Sequence, residues 1–81
     1  MEIKIFGPGC AKCMQVEKLV NEAAAAKGGN ITVRKVSDFK DMMAAGVLFT
    51  PAVAIDGIVK GSGRVPCKDE IEAWIDEAAG S

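Results

Sequence analysis

Glu2-Ile3-Lys4-Ile5-Phe6 alternates apolar with charged side chains, the period of a strand, and Gly7-Pro8-Gly9 ends it. A helix is expected next, from Ala11 to Lys27. Val16, Leu19, Val20 and Ala23 recur at helical spacing, the Ala23 to Ala26 run favours helix, and Gly28-Gly29 stops it. Ile31 to Val36 is β-branched and bounded by turn residues, which predicts a second strand. Ser37 or Asp38 can cap a short helix running through Ala45, with Gly46 at its end. Pro51 to Asp56 is apolar on both faces, as in a central strand, and Asp56-Gly57 predicts a tight hairpin into a strand over Ile58 to Lys60. Gly61-Ser62-Gly63 reads as a flexible corner. A last helix is expected from Lys68 to Ala79, with Ile71, Trp74, Ile75 and Ala78 on one face.

The order is thus β-α-β-α-β-β-α. A strand–helix–strand unit makes the first two strands parallel, and the hairpin makes the last two antiparallel. The expected architecture is an α/β fold with a mixed four-stranded sheet flanked by helices.

Composition narrows the class. A chain of 81 residues has room for one core, so a single domain over residues 1 to 81 is expected. Apolar residues make up 49% of the chain, which suits a globule and argues against disorder. Ten basic and eleven acidic side chains leave a net charge of −1, with no basic block, so neither nucleic acid nor an anionic membrane is an expected partner. The longest apolar run, Gly46 to Ile55, is broken by Thr50 and is too short to span a bilayer. Met1 leads straight into a strand pattern rather than a signal peptide, so a cytoplasmic location is expected. No long exposed apolar stripe is evident, and a monomer is expected.

Three cysteines and no histidine turn attention to sulfur chemistry. A cytoplasmic chain with an odd cysteine count is poorly explained by a static disulfide framework. Cys10 falls between the first strand and the first helix, and Cys13 in that helix's opening turn. Free N–H groups and the positive end of the helix dipole favour an anion there, which should lower the Cys10 thiol below its usual range. Lys12 adds a nearby positive charge. The turn should expose Cys10 and aim Cys13 inward, so that one sulfur attacks a substrate disulfide and the other resolves the mixed disulfide. The spacing also permits a small ring on oxidation.

A C-x-x-C pair alone equally serves half of many zinc sites, and a metal or metalloid carrier is the alternative reading. Copper-carrying domains of this length run β-α-β-β-α-β and end on a strand, whereas this chain ends on a helix. Thr50-Pro51 stands directly before the third strand, where proline lacks the N–H a ladder needs; a cis bond is one solution. Such a bend would turn Thr50 toward the Cys10 loop and leave its backbone groups free to pair with an extended peptide.

At these residues the chain resembles the thioredoxin fold in its minimal, glutaredoxin-sized form. C-x-x-C follows the first strand, Thr-Pro precedes the third, and the hairpin and closing helix complete it. The Gly-Pro-Gly-Cys opening, the Asp-Gly turn and the Gly-Arg-Val-Pro lead into the last helix are similar to the small prokaryotic and archaeal thioredoxin-like proteins called redox-active disulfide protein 2. The resemblance, over residues 2 to 79, implies a thiol–disulfide oxidoreductase of protein disulfide reductase type that needs no cofactor. It implies Cys10 as attacking thiol, Cys13 as resolving thiol, a redox-active Cys10–Cys13 disulfide, and Pro51 as the cis-proline. Thr50 and Pro51 would bind substrate backbone, and Lys12 would stabilise the thiolate. Disulfide substrates and an upstream reductant, a thioredoxin reductase-like enzyme or glutathione, are the implied partners.

The chain departs from thioredoxins in three places: Gly9 replaces the tryptophan before the first cysteine, Ala11-Lys12 replaces Gly-Pro, and Lys4 stands where a buried carboxylate is usual. A non-catalytic adaptor docking partners at the Pro51 surface is a further alternative. Cys67 occupies the serine position of a capping box, Cys67-Lys68-Asp69-Glu70. It is expected to be dispensable for dithiol chemistry, with glutathionylation or an intermolecular disulfide as its other readings. Met42 and Met43 are expected to fill the core, and Glu70, Glu72, Asp76 and Glu77 to form a solvated helix face.

Overall fold

Apolar side chains at alternate strand positions send this sheet's two faces to different helices. The computed structural model describes residues 1–9, 11–28 and 30–80. Its elements are β1 (Glu2–Phe6), α1 (Ala11–Lys27), β2 (Thr32–Val36), α2 (Phe39–Ala44), β3 (Ala52–Ile55), β4 (Ile58–Ser62) and α3 (Lys68–Gly80). The sheet order is β2-β1-β3-β4. β1 runs parallel to β2 and antiparallel to β3, and β3 pairs antiparallel with β4. This mixed sheet between helices is the thioredoxin fold of the α/β class.

Ile3, Ile5, Val53 and Ile55 point to one face and pack with Val16, Val20 and Ala23 of α1 and Ile71 and Ile75 of α3. Phe6, Ala52 and Ala54 point to the other and pack with Met42 and Val47. β3 is buried at every position, as a central strand covered on both sides must be. Ala78, expected on the inner face of α3, is exposed, because the part of α3 packed in the core ends at Ile75.

Local chemistry sets the element ends. The Asp38 carboxylate accepts the Lys40 N–H at 2.8 Å and caps α2. At the other end the Gly46 N–H donates to the Met43 carbonyl and the Val47 N–H to the Met42 carbonyl, with Gly46 at φ 78°. That is a Schellman ending, and Val47 packs back on Met42. Asp56 and Gly57, at φ 49° and 87°, form the two-residue hairpin turn. The Asp56 carboxylate also accepts the Glu2 N–H at 2.8 Å, tying the turn to the start of β1.

One expected corner is a strand. Gly61 pairs with Val53 and Ser62 with Ala52, leaving only Gly63 to turn, at φ 77°. The register shifts between Val53 and Ala54, so Lys60 is the extra residue of a β-bulge. Gly61 lacks a side chain for a packing reason: a Cβ there would lie 2.9 Å from Trp74 Cη2.

The acidic face of α3 is paired rather than simply solvated. Lys27 of α1 bridges to Asp76 at 2.8 Å and lies 4.0 Å from Glu72, Lys60 lies 3.4 Å from Glu77, and Arg64 clasps Glu70 through two bonds of 2.8 and 2.6 Å. No helix among the described residues is long and apolar enough to cross a membrane.

Candidate active site at the β1–α1 junction

β1 delivers the chain to this site and α1 carries it away. The Gly7 N–H donates to the Val36 carbonyl at 3.0 Å, so the strand ladder continues one residue past Phe6 and fixes the backbone of Gly7. Gly9 turns at φ 90°, a conformation that costs a side-chain-bearing residue energy, and α1 starts at Ala11. Cys10 lies outside the described residues. Lys12 is exposed. Cys13, the third residue of α1, is 6% exposed and faces the sheet.

The Cys13 sulfur sits against the strand end. A Cβ placed on Gly7 would collide with Cys13 Sγ, and it would lie 3.2 Å from Cys13 Cβ and 4.0 Å from Thr50 Cβ. Gly7 therefore lies directly under the Cys13 side chain, with Thr50 close by. The Thr50–Pro51 peptide bond is cis. Pro51 is fully buried, its carbonyl accepts the Gly63 N–H at 2.9 Å, and Thr50 is exposed. Of the residues singled out in the sequence, the structure thus brings Cys13, Thr50 and Pro51 to one edge, at the N-terminus of α1. Lys4 stands apart from them: it lies on the α2 face, where Glu2 is 3.8 Å away, and Arg34 Nε bonds Glu2 at 3.0 Å. A concavity of about 700 Å³ on that face, lined by Lys4, Arg34, Asp38 and Asp41, is on the other side of the sheet from Cys13.

Two features were not legible beforehand. The first is the role of Gly7 as space for sulfur. The second is an apolar rim: Leu48 is 87% exposed and Phe49 66%, next to Thr50, and Phe39 and Met43 of α2 are exposed as well. The expectation that Met43 fills the core is thus corrected, and four apolar side chains are exposed where no long apolar stripe is evident in the sequence. After the Schellman turn only Val47 joins the core, and the next two apolar side chains, Leu48 and Phe49, are exposed. Pro8, Phe39, Val47, Leu48 and Thr50 line a groove of about 270 Å³ there.

Residues 1–76 match the family model described as a thioredoxin domain. The chain belongs to the thioredoxin family. A thioredoxin of Methanothermobacter thermautotrophicus is 38% identical over 72 residues, covering 89% of this chain and 94% of that protein. A thioredoxin of Methanocaldococcus jannaschii is 37% identical over 70 residues, covering 86% of this chain and 80% of its own length. A probable thioredoxin of Methanothermobacter marburgensis is 32% identical and covers 95% of each chain.

Cys67 is exposed just before α3, and its backbone N–H donates to Glu70 Oε1 at 3.3 Å, half of a capping box. Hydrogen bonds from Arg64, and then from the Cys67 N–H, lower the Glu70 carboxyl from 4.5 to about 2. Among the described residues no group of three or more Cys, Asp or Glu side chains is placed to hold a metal.

Proposed function

We propose that this thioredoxin-family protein is a small thiol–disulfide oxidoreductase that reduces protein disulfides with the Cys10–Cys13 dithiol. The observation that carries the reading is the buried Cys13 sulfur in the first turn of α1, beside Thr50 and the cis-Pro51. In the proposed reaction the Cys10 thiolate attacks a substrate disulfide, forming a Cys10–substrate bond and releasing one substrate thiol. Cys13 then attacks Cys10, closes the ring and releases the second substrate thiol. Two electrons pass from the dithiol to the substrate, and a reductant of the thioredoxin reductase or glutathione type restores the dithiol. The positive end of α1 and Lys12 favour the Cys10 thiolate. The exposed backbone at Thr50 offers hydrogen bonds to an extended substrate segment, and Leu48 and Phe49 offer it apolar contact. A monomer in the cytoplasm, folded as one domain over residues 1 to 81, fits this role.

The test is intact mass with thiol counting across a dithiothreitol redox titration, on the wild type and on Cys10→Ser. A reversible two-electron step that leaves one free thiol, Cys67, and disappears in Cys10→Ser is expected. Thiols that stay reduced throughout, or a metal mass travelling with the protein, would refute the reading.

A further inference from the structure

We infer that Gly7 is a positioning residue for the dithiol: its missing side chain is the space that holds the Cys13 sulfur in reach of ring closure. The inference rests on the Cys10–Cys13 reading above and adds to it the device that fixes one of the two sulfurs.

Backbone conformation gives no reason for glycine at this position. Among the described residues the glycines with positive φ are 9, 28, 46, 57 and 63, and Gly7 is absent from that set. An alanine backbone fits there without strain. What does not fit is its methyl group, which would overlap Cys13 Sγ well inside van der Waals contact. The two sides of that collision yield unequally. The Gly7 N–H is held by the Val36 carbonyl at the end of a parallel ladder, and β1 is locked between β2 and β3. The Cys13 backbone belongs to α1, which is seated on the core through Val16 and Val20. The Cys13 sulfur hangs on a single rotatable bond. It is the group that moves.

A jump to another staggered rotamer, 120° away, carries a cysteine sulfur about 3 Å. Disulfide formation needs the two sulfurs to close to about 2.05 Å with a restricted torsion. In the resolving step, Cys13 as thiolate attacks Cys10 Sγ, the Cys10–Cys13 bond forms and the Cys10–substrate bond breaks. The substrate sulfur leaves with the electron pair and takes up the proton that Cys13 gave up. A misplacement of about 1 Å can slow such a step about 10²-fold. The loss belongs to resolution, because the first attack uses Cys10 alone.

The experiment mixes reduced protein with a small aromatic disulfide and follows mixed disulfide and ring by quenched-flow mass spectrometry, for wild type and Gly7→Ala. Thermal unfolding of Gly7→Ala, Cys13→Ala and the double variant runs beside it. Gly7→Ala is expected to accumulate the Cys10 mixed disulfide and to close the ring about 10²-fold more slowly. Its loss of thermal stability is expected to be relieved in the Cys13→Ala background, where the sulfur is gone. If Gly7→Ala alone does not fold, a folded double variant supports the same contact, and two unfolded variants refute it. Ring closure at the wild-type rate, or an equal stability loss in both backgrounds, overturns the inference. A wild type that forms no ring overturns the function reading and the positioning role together, leaving only the contact, which the unfolding comparison judges on its own.

Discussion

Replacing Gly61 with alanine pits two effects of opposite sign against each other, and the structure decides between them. Gly61 lies in β4 opposite Val53, on the face that α3 covers, and it is not among the positive-φ glycines. Alanine there narrows the unfolded ensemble, a gain of about 0.4–1 kcal/mol wherever the native conformation accepts it. Against this, the new Cβ would stand 2.9 Å from Trp74 Cη2 and 3.5 Å from Cζ2. Forcing a methyl group into a packed site costs about 1–3 kcal/mol. The collision outweighs the entropy, and a net loss of about 1–2 kcal/mol follows from the difference. For a domain of this size that lowers Tm by roughly 5–15 °C. The assay is thermal unfolding by circular dichroism, with the emission of the sole tryptophan reporting the displaced ring. Trp74→Phe supplies the decisive background, because phenylalanine lacks the far edge of the indole. In that background Gly61→Ala is expected to be neutral or stabilising. A rise in Tm with Trp74 present, or the same loss in both backgrounds, would refute the packing argument.

Two further outcomes follow from the surface. Arg64 holds the Glu70 carboxyl at about 2 against 4.5 for a free side chain, so its contribution to stability is complete above pH 4.5 and fades as pH falls toward 2. Arg64→Gln is expected to return the Glu70 titration toward 4.5 in carboxyl NMR and to flatten the acid limb of Tm against pH; an unmoved titration would refute the pairing. Leu48, 87% exposed beside the site, is expected to contact substrate in the proposed reaction. Leu48→Asp should keep stability within about 0.5 kcal/mol and slow reduction of a protein disulfide roughly tenfold, the loss of one apolar anchor. An unchanged rate would remove the rim from the binding surface.

What the sequence made legible was whatever repeats or caps. The alternation in β1, the 3.6-residue pattern of α1 and the Asp56-Gly57 turn each follow from a local rule, and all three elements stand where those rules put them. Asp38 rather than Ser37 caps α2, a choice local patterns leave open. The misses share another cause. Leu48 and Phe49 belong to an apolar run whose outward direction nothing local records: one helix-ending turn decides which way a short loop faces, and no periodicity marks it. Gly61 was read as flexible because glycine's freedom is a property of the residue, whereas its use here depends on an indole thirteen positions away. Alternation alone puts Lys4 and Glu2 on one face of β1, but the Arg34 of β2 that pairs with Glu2 is visible only once the strands stand side by side.

Gly7 and Gly61 together give the sheet a common logic. Each sits on the face covered by α1 and α3, each has a backbone conformation open to any residue, and each receives one side chain from one helix: Cys13 from α1 and Trp74 from α3. A helix can lower a side chain onto a strand's backbone only where the strand offers no Cβ. At β4 that close approach seats an indole and stabilises the fold. At the end of β1 it seats a sulfur, and there the same packing rule fixes the position of the atom that the proposed reaction uses. The C-x-x-C motif sets two cysteines three positions apart in the sequence, but the depth of the inner sulfur is set by a residue six positions before Cys13, outside the motif. On this account the chemistry of the pair depends on the strand as much as on the helix.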